Sequence, residues 1–284
     1  MFLKKIKCPA KINLYLKIVG KRPDGYHELE SLFAFLDLED VLEIEKSDKF
    51  NLEIDGEFAD LIDVKKNLIT KILDFFVKEF NISRNLKIKI TKNIPVGAGL
   101  GGGSSDAAYF IKSLNNIFNL KLTKEELQRI SLNFGSDIAF FFEDKASIIR
   151  GRGEIIKNFP KFKTIHALLV NPKIHLLTKD VFGRFAQEFS KEISNQELQK
   201  KDVEELIKSL PNDLTKAAIA SNDIIAEILK QLEREKAVIA KMSGSGATCF
   251  AIFSDDKQLE AAQKNLTKKF PNFFIKKAKI LSDV

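Results

Sequence analysis

The densest chemical signal in the chain lies at residues 97–103, where five of seven residues are glycine. Glycine loses more conformational freedom on folding than any other residue, so such a density needs a use that offsets it. The flanks supply one. LKIKIT at residues 86–91 alternates as a strand, and Ala107, Phe110, Ile111, Leu114, Ile117 and Phe118 form one helical stripe after the run. A glycine loop between a strand and a helix aims backbone N–H groups and the positive helix end at a phosphate. Ser104 and Ser105 are the expected N-caps, and Asp106 suits the first turn. The run contains GxGxxG at Gly97, Gly99 and Gly102. A dinucleotide fold would need a βαβ unit here, whereas the next predicted element is a second helix opened by a Thr123/Glu126 capping box. The HRD and DFG of protein kinases and the GxxxxGK[ST] loop are absent. This is a phosphate loop of another kind.

Other residues have types suited to chemistry. In the N-terminal strand, Lys11, Asn13, Tyr15 and Lys17 share one face, and Ile12, Leu14, Leu16 and Ile18 share the other. An isolated strand lysine is ordinarily solvated. Asp137, in FGSDIAFFF, sits where it would cap a short helix over 138–142. PDGYH at 23–27 reads as a turn broken at Asp24-Gly25. A second glycine loop, SGSGAT at 243–248, stands between two predicted strands and also fits a tight β-hairpin. Arg150-Gly151-Arg152-Gly153 imitates an RNA-binding tract, but one copy between strands is more simply a hairpin turn. His166 and His175 lie in no motif and read as structural.

The elements that must position these groups follow from periodicity. Strands are expected at 1–20, 32–38, 40–45, 51–55, 86–91, 147–149, 154–156, 165–171, 236–242, 249–253 and 273–280. Helices are expected at 67–80, from 107 onward, at 123–134, 178–189, 202–210, 213–219, 223–234 and 258–269. The best seam is near 159–164, which divides the chain into 1–160 and 161–284. At 284 residues the chain can form one large domain or two medium ones, with the apolar and charged fractions of a globular protein. No apolar run approaches the roughly 18 residues of a membrane span, and the first residues read as a strand and not a leader. Cys8 and Cys249 form no CxxC pair and look like buried thiols of a cytoplasmic protein. The net charge of +7 suits an anionic substrate, nucleic acid or plain solubility, and it is spread without an arginine block.

Three segments, taken in order, carry a family resemblance: PAKINLYL followed by RPDGYHELESLF, then PVGAGLGGGSSDAA, then KMSGSGATCFAIF. They resemble the motifs of the GHMP kinase superfamily, which includes galactokinase, homoserine kinase and mevalonate kinase. The GLGGGSS variant and PDGYH resemble a branch whose acceptor is a sugar alcohol linked to cytidine diphosphate, in non-mevalonate isoprenoid synthesis. The resemblance implies an α+β, two-domain GHMP kinase fold with the active site in the inter-domain cleft. It implies ATP, carried as MgATP, at Pro95, Val96, Gly97, Ala98, Gly99, Leu100, Gly101, Gly102, Gly103, Ser104 and Ser105. Lys92 and Asn67 resemble positions around the adenine. Ser104 or Ser105 could reach the metal, Mg2+, and no carboxylate ligand is identified. Lys11 and Asp137 match the catalytic pair, the aspartate accepting the hydroxyl proton and the lysine holding it ionised. Tyr26 and His27 match a cytidine-binding pair, with Asn13, Thr178 and Phe182 completing the acceptor site. The match at Phe182 is the loosest, because KIHLLTKDVF lacks the usual proline, and core packing explains that ring equally well. The implied partner is a small molecule with a cytidine diphosphate moiety, not nucleic acid or membrane, in a monomer or homodimer. Three readings compete: another GHMP kinase, a basic nucleic-acid-binding protein reusing the fold, and an inactive relative. PDGYH argues against the first. Lys11, Asp137 and two glycine loops argue against the others.

Overall fold

Two long strands open the chain. β1 (Phe2–Lys21) and β2 (His27–Lys46) have 20 residues each and pair with one another. The computed structural model describes residues 2–64 and 67–284. Two compact units share these residues: those up to Ala10, with Leu38–Val96 and Gly101–Glu143, in the first, and Lys11–Asp37, Gly97–Leu100 and Asp144–Val284 in the second. The units therefore interleave along the chain and do not follow the halves 1–160 and 161–284. The reason is the length of β1 and β2, each of which serves one unit with one part and the other unit with the rest.

The first unit adds β3 (Asn51–Asp55), α1 (Leu68–Phe80), β4 (Leu86–Thr91), α2 (Gly102–Ile117), α3 (Lys124–Ser131) and a short 3-10 helix, Ser136–Phe142. β3 and β4 are parallel, with α1 between them in sequence, and β4 runs antiparallel to the second part of β2. Asn67 starts α1 by accepting the Ile69 N–H at 2.8 Å, and Ile69, Ile72, Leu73 and Phe76 form its buried stripe. α3 carries the expected capping box, Thr123 with Glu126.

The second unit adds β5 (Ser147–Gly151), β6 (Ile155–Asn158), β7 (Ile165–Asn171), α4 (Thr178–Gly183), α5 (Asn195–Lys200), α6 (Val203–Ser209), α7 (Thr215–Ser221), α8 (Ile224–Arg234), β8 (Ile239–Met242), β9 (Cys249–Ile252), α9 (Asp256–Lys269) and β10 (Phe274–Leu281). Its strands run in the order β2-β10-β7-β9-β8, all antiparallel. β10 lies along β7 from Phe274 opposite Asn171 to Ile280 opposite Ile165. Leu168, Val170, Ile225, Ile228, Leu232, Leu259 and Leu266 pack between this sheet and its helices. No helix among the described residues is long and apolar enough to cross a membrane.

Several expected boundaries change. The two strands expected across 32–45 are one, because the exposed Asp37 continues the extended chain and accepts the Lys279 N–H at 2.7 Å. The helix expected over 178–189 ends at Gly183. Phe182, Phe185 and Phe189 imitate helical spacing, but the Ser190 N–H donates to the Ile18 carbonyl at 2.8 Å, so the chain runs out to β1. α2 begins at Gly102, capped by Gly101 in the left-handed region (φ 69°), so Ser104 and Ser105 lie inside the first turn and cap nothing. The 3-10 helix starts at Ser136 after Gly135, which places Asp137 in the first turn and not at the cap. α5 was not expected; its six residues are too few to show a period.

Candidate active site

In the second unit, Lys11, Asn13, the part of the first glycine loop at Gly97–Leu100 and the second glycine loop meet. The Lys11 N–H donates to the Leu100 carbonyl at 2.9 Å, which seats the first glycine loop on β1. Lys11 is buried; its ammonium donates to Asn13 Oδ1 at 2.6 Å and stands 4.4 Å from the centre of the Phe33 ring. Asn13 spends its other groups locally: Nδ2 donates to Ser31 Oγ at 3.0 Å, and its backbone N–H donates to Ser243 Oγ at 3.1 Å. The Ser243 hydroxyl in turn donates to the Gly99 carbonyl at 3.0 Å. A methyl on Gly99 would stand 2.3 Å from the Ser243 carbonyl oxygen, and its φ is +74°, so only glycine lets the two loops approach this closely. The second loop connects β8 to β9 as a hairpin, as its spacing permits, and it also braces the first: Thr248 N–H donates to Ala98 O at 3.2 Å. Asn212 holds it from behind through Nδ2, donating to the Met242 and Gly244 carbonyls at 2.7 and 2.8 Å.

The same unit carries the turn at 23–27. The Arg22 N–H donates to the Tyr26 carbonyl at 2.7 Å, and Asp24 Oδ1 accepts the Tyr26 N–H at 3.2 Å. Tyr26 is 59% exposed, with the Arg152 guanidinium 4.7 Å from its ring centre. His27 packs against Phe182 (5.6 Å, tilted) and Phe185 (5.7 Å, edge on). Burial, with a smaller push from Lys21, holds the His27 pKa below the usual imidazole value. Thr178 starts α4, and its hydroxyl lies 3.1 Å from that of Ser245 in the second loop. Arg150-Gly153 forms the β5–β6 turn, as expected of a hairpin.

The glycine run leads into α2 of the first unit. Ala98 and Leu100 are buried, Gly103 is exposed, and a Cβ on Gly103 would meet nothing within 4 Å. The first-turn N–H groups of a helix lack intrahelical acceptors, so this bare first turn fits a phosphate. The buried Ser105 hydroxyl, in the same turn, has no protein partner. Behind it lies an ionic cluster that periodicity alone did not mark as important. Lys92 is buried and donates to Asp40 and, at 2.5 Å, to Asp106. Asp40 also accepts the Asn93 and Ile94 N–H groups at 2.6 and 2.9 Å, fixing the chain as it enters the loop. Burial opposes the Lys92 charge, but Asp106 and Asp40 outweigh it and push the pKa up to about 12. Burial raises the Asp106 carboxyl, against the pull of Lys92. The Lys92 side chain is thus committed to carboxylates, and Asn67 to capping α1. Asp137 is half-buried in the first turn of its 3-10 helix. Asp40 did leave a sequence signal, since it shares a strand face with Leu36, Leu38, Leu42 and Ile44. Asn212 and Arg152 left none, because what matters about them is a neighbour distant in sequence.

These features are a helix start whose open first turn fits a phosphate, a second loop bracing the first and a lysine whose backbone seats the first loop on β1. Comparison with known proteins agrees. The GHMP kinases N terminal domain matches residues 67–144 and the GHMP kinases C terminal domain matches 194–272. The chain belongs to the GHMP kinase family and has its two-domain fold. Its curated relatives share a more specific name, 4-diphosphocytidyl-2-C-methyl-D-erythritol kinase. One from Anaplasma phagocytophilum is 36% identical over 97% of this chain and 94% of its own length. Another, from Paramagnetospirillum magneticum, is 33% identical over 98% of both. A crystal structure of 4-(cytidine 5'-diphospho)-2C-methyl-D-erythritol kinase superposes with a TM-score of 0.79 at 25% identity, over 98% of this chain and 99% of that one. A mevalonate kinase from L. major shares the fold with a TM-score of 0.72 at 18% identity, over 99% of this chain and 96% of that one.

Proposed function

We propose that this chain transfers the γ-phosphate of ATP to the 2-hydroxyl of 4-diphosphocytidyl-2-C-methyl-D-erythritol. The observation that carries the reading is the Tyr26–His27 turn. It offers a half-open aromatic face, with its neighbouring imidazole held by Phe182 and Phe185. Tyr26 stacks on the pyrimidine and His27 hydrogen-bonds its polar edge. Homoserine or mevalonate, having no base, would leave this platform idle. The name shared by the full-length relatives supports the same acceptor.

Phosphoryl transfer asks the protein mainly for positioning and charge stabilisation. The bare first turn of α2 and residues 97–103 receive the ATP phosphates. Asp137 accepts the hydroxyl proton as the acceptor oxygen attacks. Lys11, held by Asn13 and Phe33, keeps positive charge where negative charge develops. Magnesium, arriving with ATP, would neutralise the phosphate oxygens, and Ser104 or Ser105 would offer it a hydroxyl. A metal that keeps most of its waters needs only one or two protein carboxylates, not a dedicated acidic cage.

The test is ADP release from MgATP with four acceptors: 4-diphosphocytidyl-2-C-methylerythritol, cytidine monophosphate, homoserine and mevalonate. Turnover with the first alone is expected. Turnover with homoserine or mevalonate instead would keep the kinase and discard the roles of Tyr26 and His27.

A further inference from the structure

Residues 171–182 join features that the mechanism above treats separately. At the start, Asn171 donates from Nδ2 to Thr248 Oγ1 in the second glycine loop at 2.9 Å, and its Oδ1 accepts the Lys173 N–H at 2.7 Å. Four residues on, the His175 ring fills the space beside the first loop. A Cβ on Gly97 would stand 2.1 Å from His175 Nδ1 and 2.5 Å from Cε1. Gly97 has φ +63°, so it is a glycine both for its backbone and to admit the imidazole. Leu176 follows against Gly246, 3.4 Å from where a Cβ there would stand. The Thr178 hydroxyl meets that of Ser245 at 3.1 Å. Phe182 then closes on His27 at 5.6 Å. One short segment touches the first glycine loop, the second glycine loop and the histidine of the base platform.

In so short a segment, holding one end restricts the conformations open to the other. When the base settles on Tyr26 and His27, Phe182 is held, and with it the start of α4 at Thr178. The residues just before are those lying on Gly97 and Ser245, where the phosphates are received. A ligand at either end then supplies part of the ordering that the second ligand would otherwise have to supply. The consequence is a coupling free energy that must act equally in both directions.

We propose that His175 and Thr178 are positioning residues of the phosphate loops, and that through residues 171–182 the cytidine-bearing acceptor and ATP tighten each other's binding. The proposal rests on the acceptor reading given above. It assigns His175 a role in the site, although no motif marks it.

Isothermal titration with a non-hydrolysable ATP analogue tests it. The affinity of 4-diphosphocytidyl-2-C-methylerythritol is measured with and without the magnesium complex of the analogue, and the analogue's affinity with and without the acceptor. The wild type is expected to show tightening of about five-fold or more, by the same factor in both directions. In His175→Ala the factor is expected to fall toward one. Thr178→Val, which removes the contact with Ser245 and keeps the side-chain shape, gives the second reading should His175→Ala fail to fold. A factor within two-fold of one in the wild type overturns the coupling while leaving the acceptor assignment intact, since the acceptor would still bind. A factor undiminished in the variants overturns the role of this segment. Absence of any acceptor binding removes both readings together.

Discussion

Lys92→Met isolates the ionic cluster behind the first turn of α2. Methionine roughly preserves the volume of the stem, so the change is chiefly one of charge. Lys92, Asp40 and Asp106 are all buried, at 3%, 0% and 4% exposure, so solvent cannot take over the role of the ammonium. Removing one partner from a buried ion pair costs about 3–5 kcal/mol, because the remaining charge is left uncompensated. Here two carboxylates would face each other. Linkage in the wild type divides within the cluster: the raised lysine favours folding, while burial raises Asp106 from 3.8 to about 7 and makes its ionised form costly above that pH. Burial opposes the charge of Lys92 itself, but Asp106 and Asp40 outweigh it and raise the lysine from 10.5 to about 12, so the protonated lysine favours the folded state. A raised lysine contributes fully below its unfolded value and loses that contribution as pH rises through 10.5 toward 12. At pH 8 the variant should therefore lose about 3–5 kcal/mol in urea denaturation. For a chain of this size that is a fall in Tm on the order of 5–15 °C. The triple variant Asp40→Asn, Lys92→Met, Asp106→Asn should recover much of the loss. It removes all three charges, while the amide oxygen of the asparagine replacing Asp40 can still accept from the Asn93 and Ile94 N–H groups. A loss below about 1 kcal/mol in Lys92→Met, or a triple variant no better than the single, would refute the account of the cluster.

Three further changes address the site. Gly99→Ala places a methyl 2.3 Å from the Ser243 carbonyl at φ +74°. It should cost at least about 2 kcal/mol of stability and weaken ATP-analogue binding, and an unchanged urea midpoint would remove the close loop approach from the argument. Asp137→Asn should lower turnover by about two to four orders of magnitude while analogue binding stays within two-fold. ADP release at near wild-type rate would take Asp137 out of the mechanism. Tyr26→Ala should raise KM for the cytidine acceptor by roughly 5- to 100-fold, the range of base–aromatic stacking, and leave KM for ATP alone. Equal effects on both substrates would make the tyrosine structural.

Local chemistry is what the sequence exposed most clearly. The strand LKIKIT, the Asn67-capped helix and the Thr123/Glu126 capping box each depend on residues a few places apart, and each appears where its pattern lies. The glycine run announced itself because so many glycines are hard to explain otherwise. Where the sequence misled, nearby alternatives were close in energy and a distant contact decided between them. Ser104 and Ser105 are good caps, yet Gly101 takes the left-handed position and the helix starts earlier. Phe182, Phe185 and Phe189 have helical spacing, yet two of the rings turn to His27 and the chain leaves the helix after Gly183.

The sequence by itself determined the family and the two glycine loops and nominated Lys11 and Asp137 as the pair to test, because motif residues and their order survive without coordinates. Only the tertiary structure decided what those residues touch. Asp40 and Asp106 lie 52 and 14 residues from Lys92, and nothing in their local patterns pairs them. Ser243 reaches Asn13 across 230 positions. Only the fold brings the His175 ring against Gly97. Hydrogen bonds, ion pairs and steric fit act over a few ångströms, and the sequence separations they bridge are set by how strands and loops pack, not by neighbouring residues.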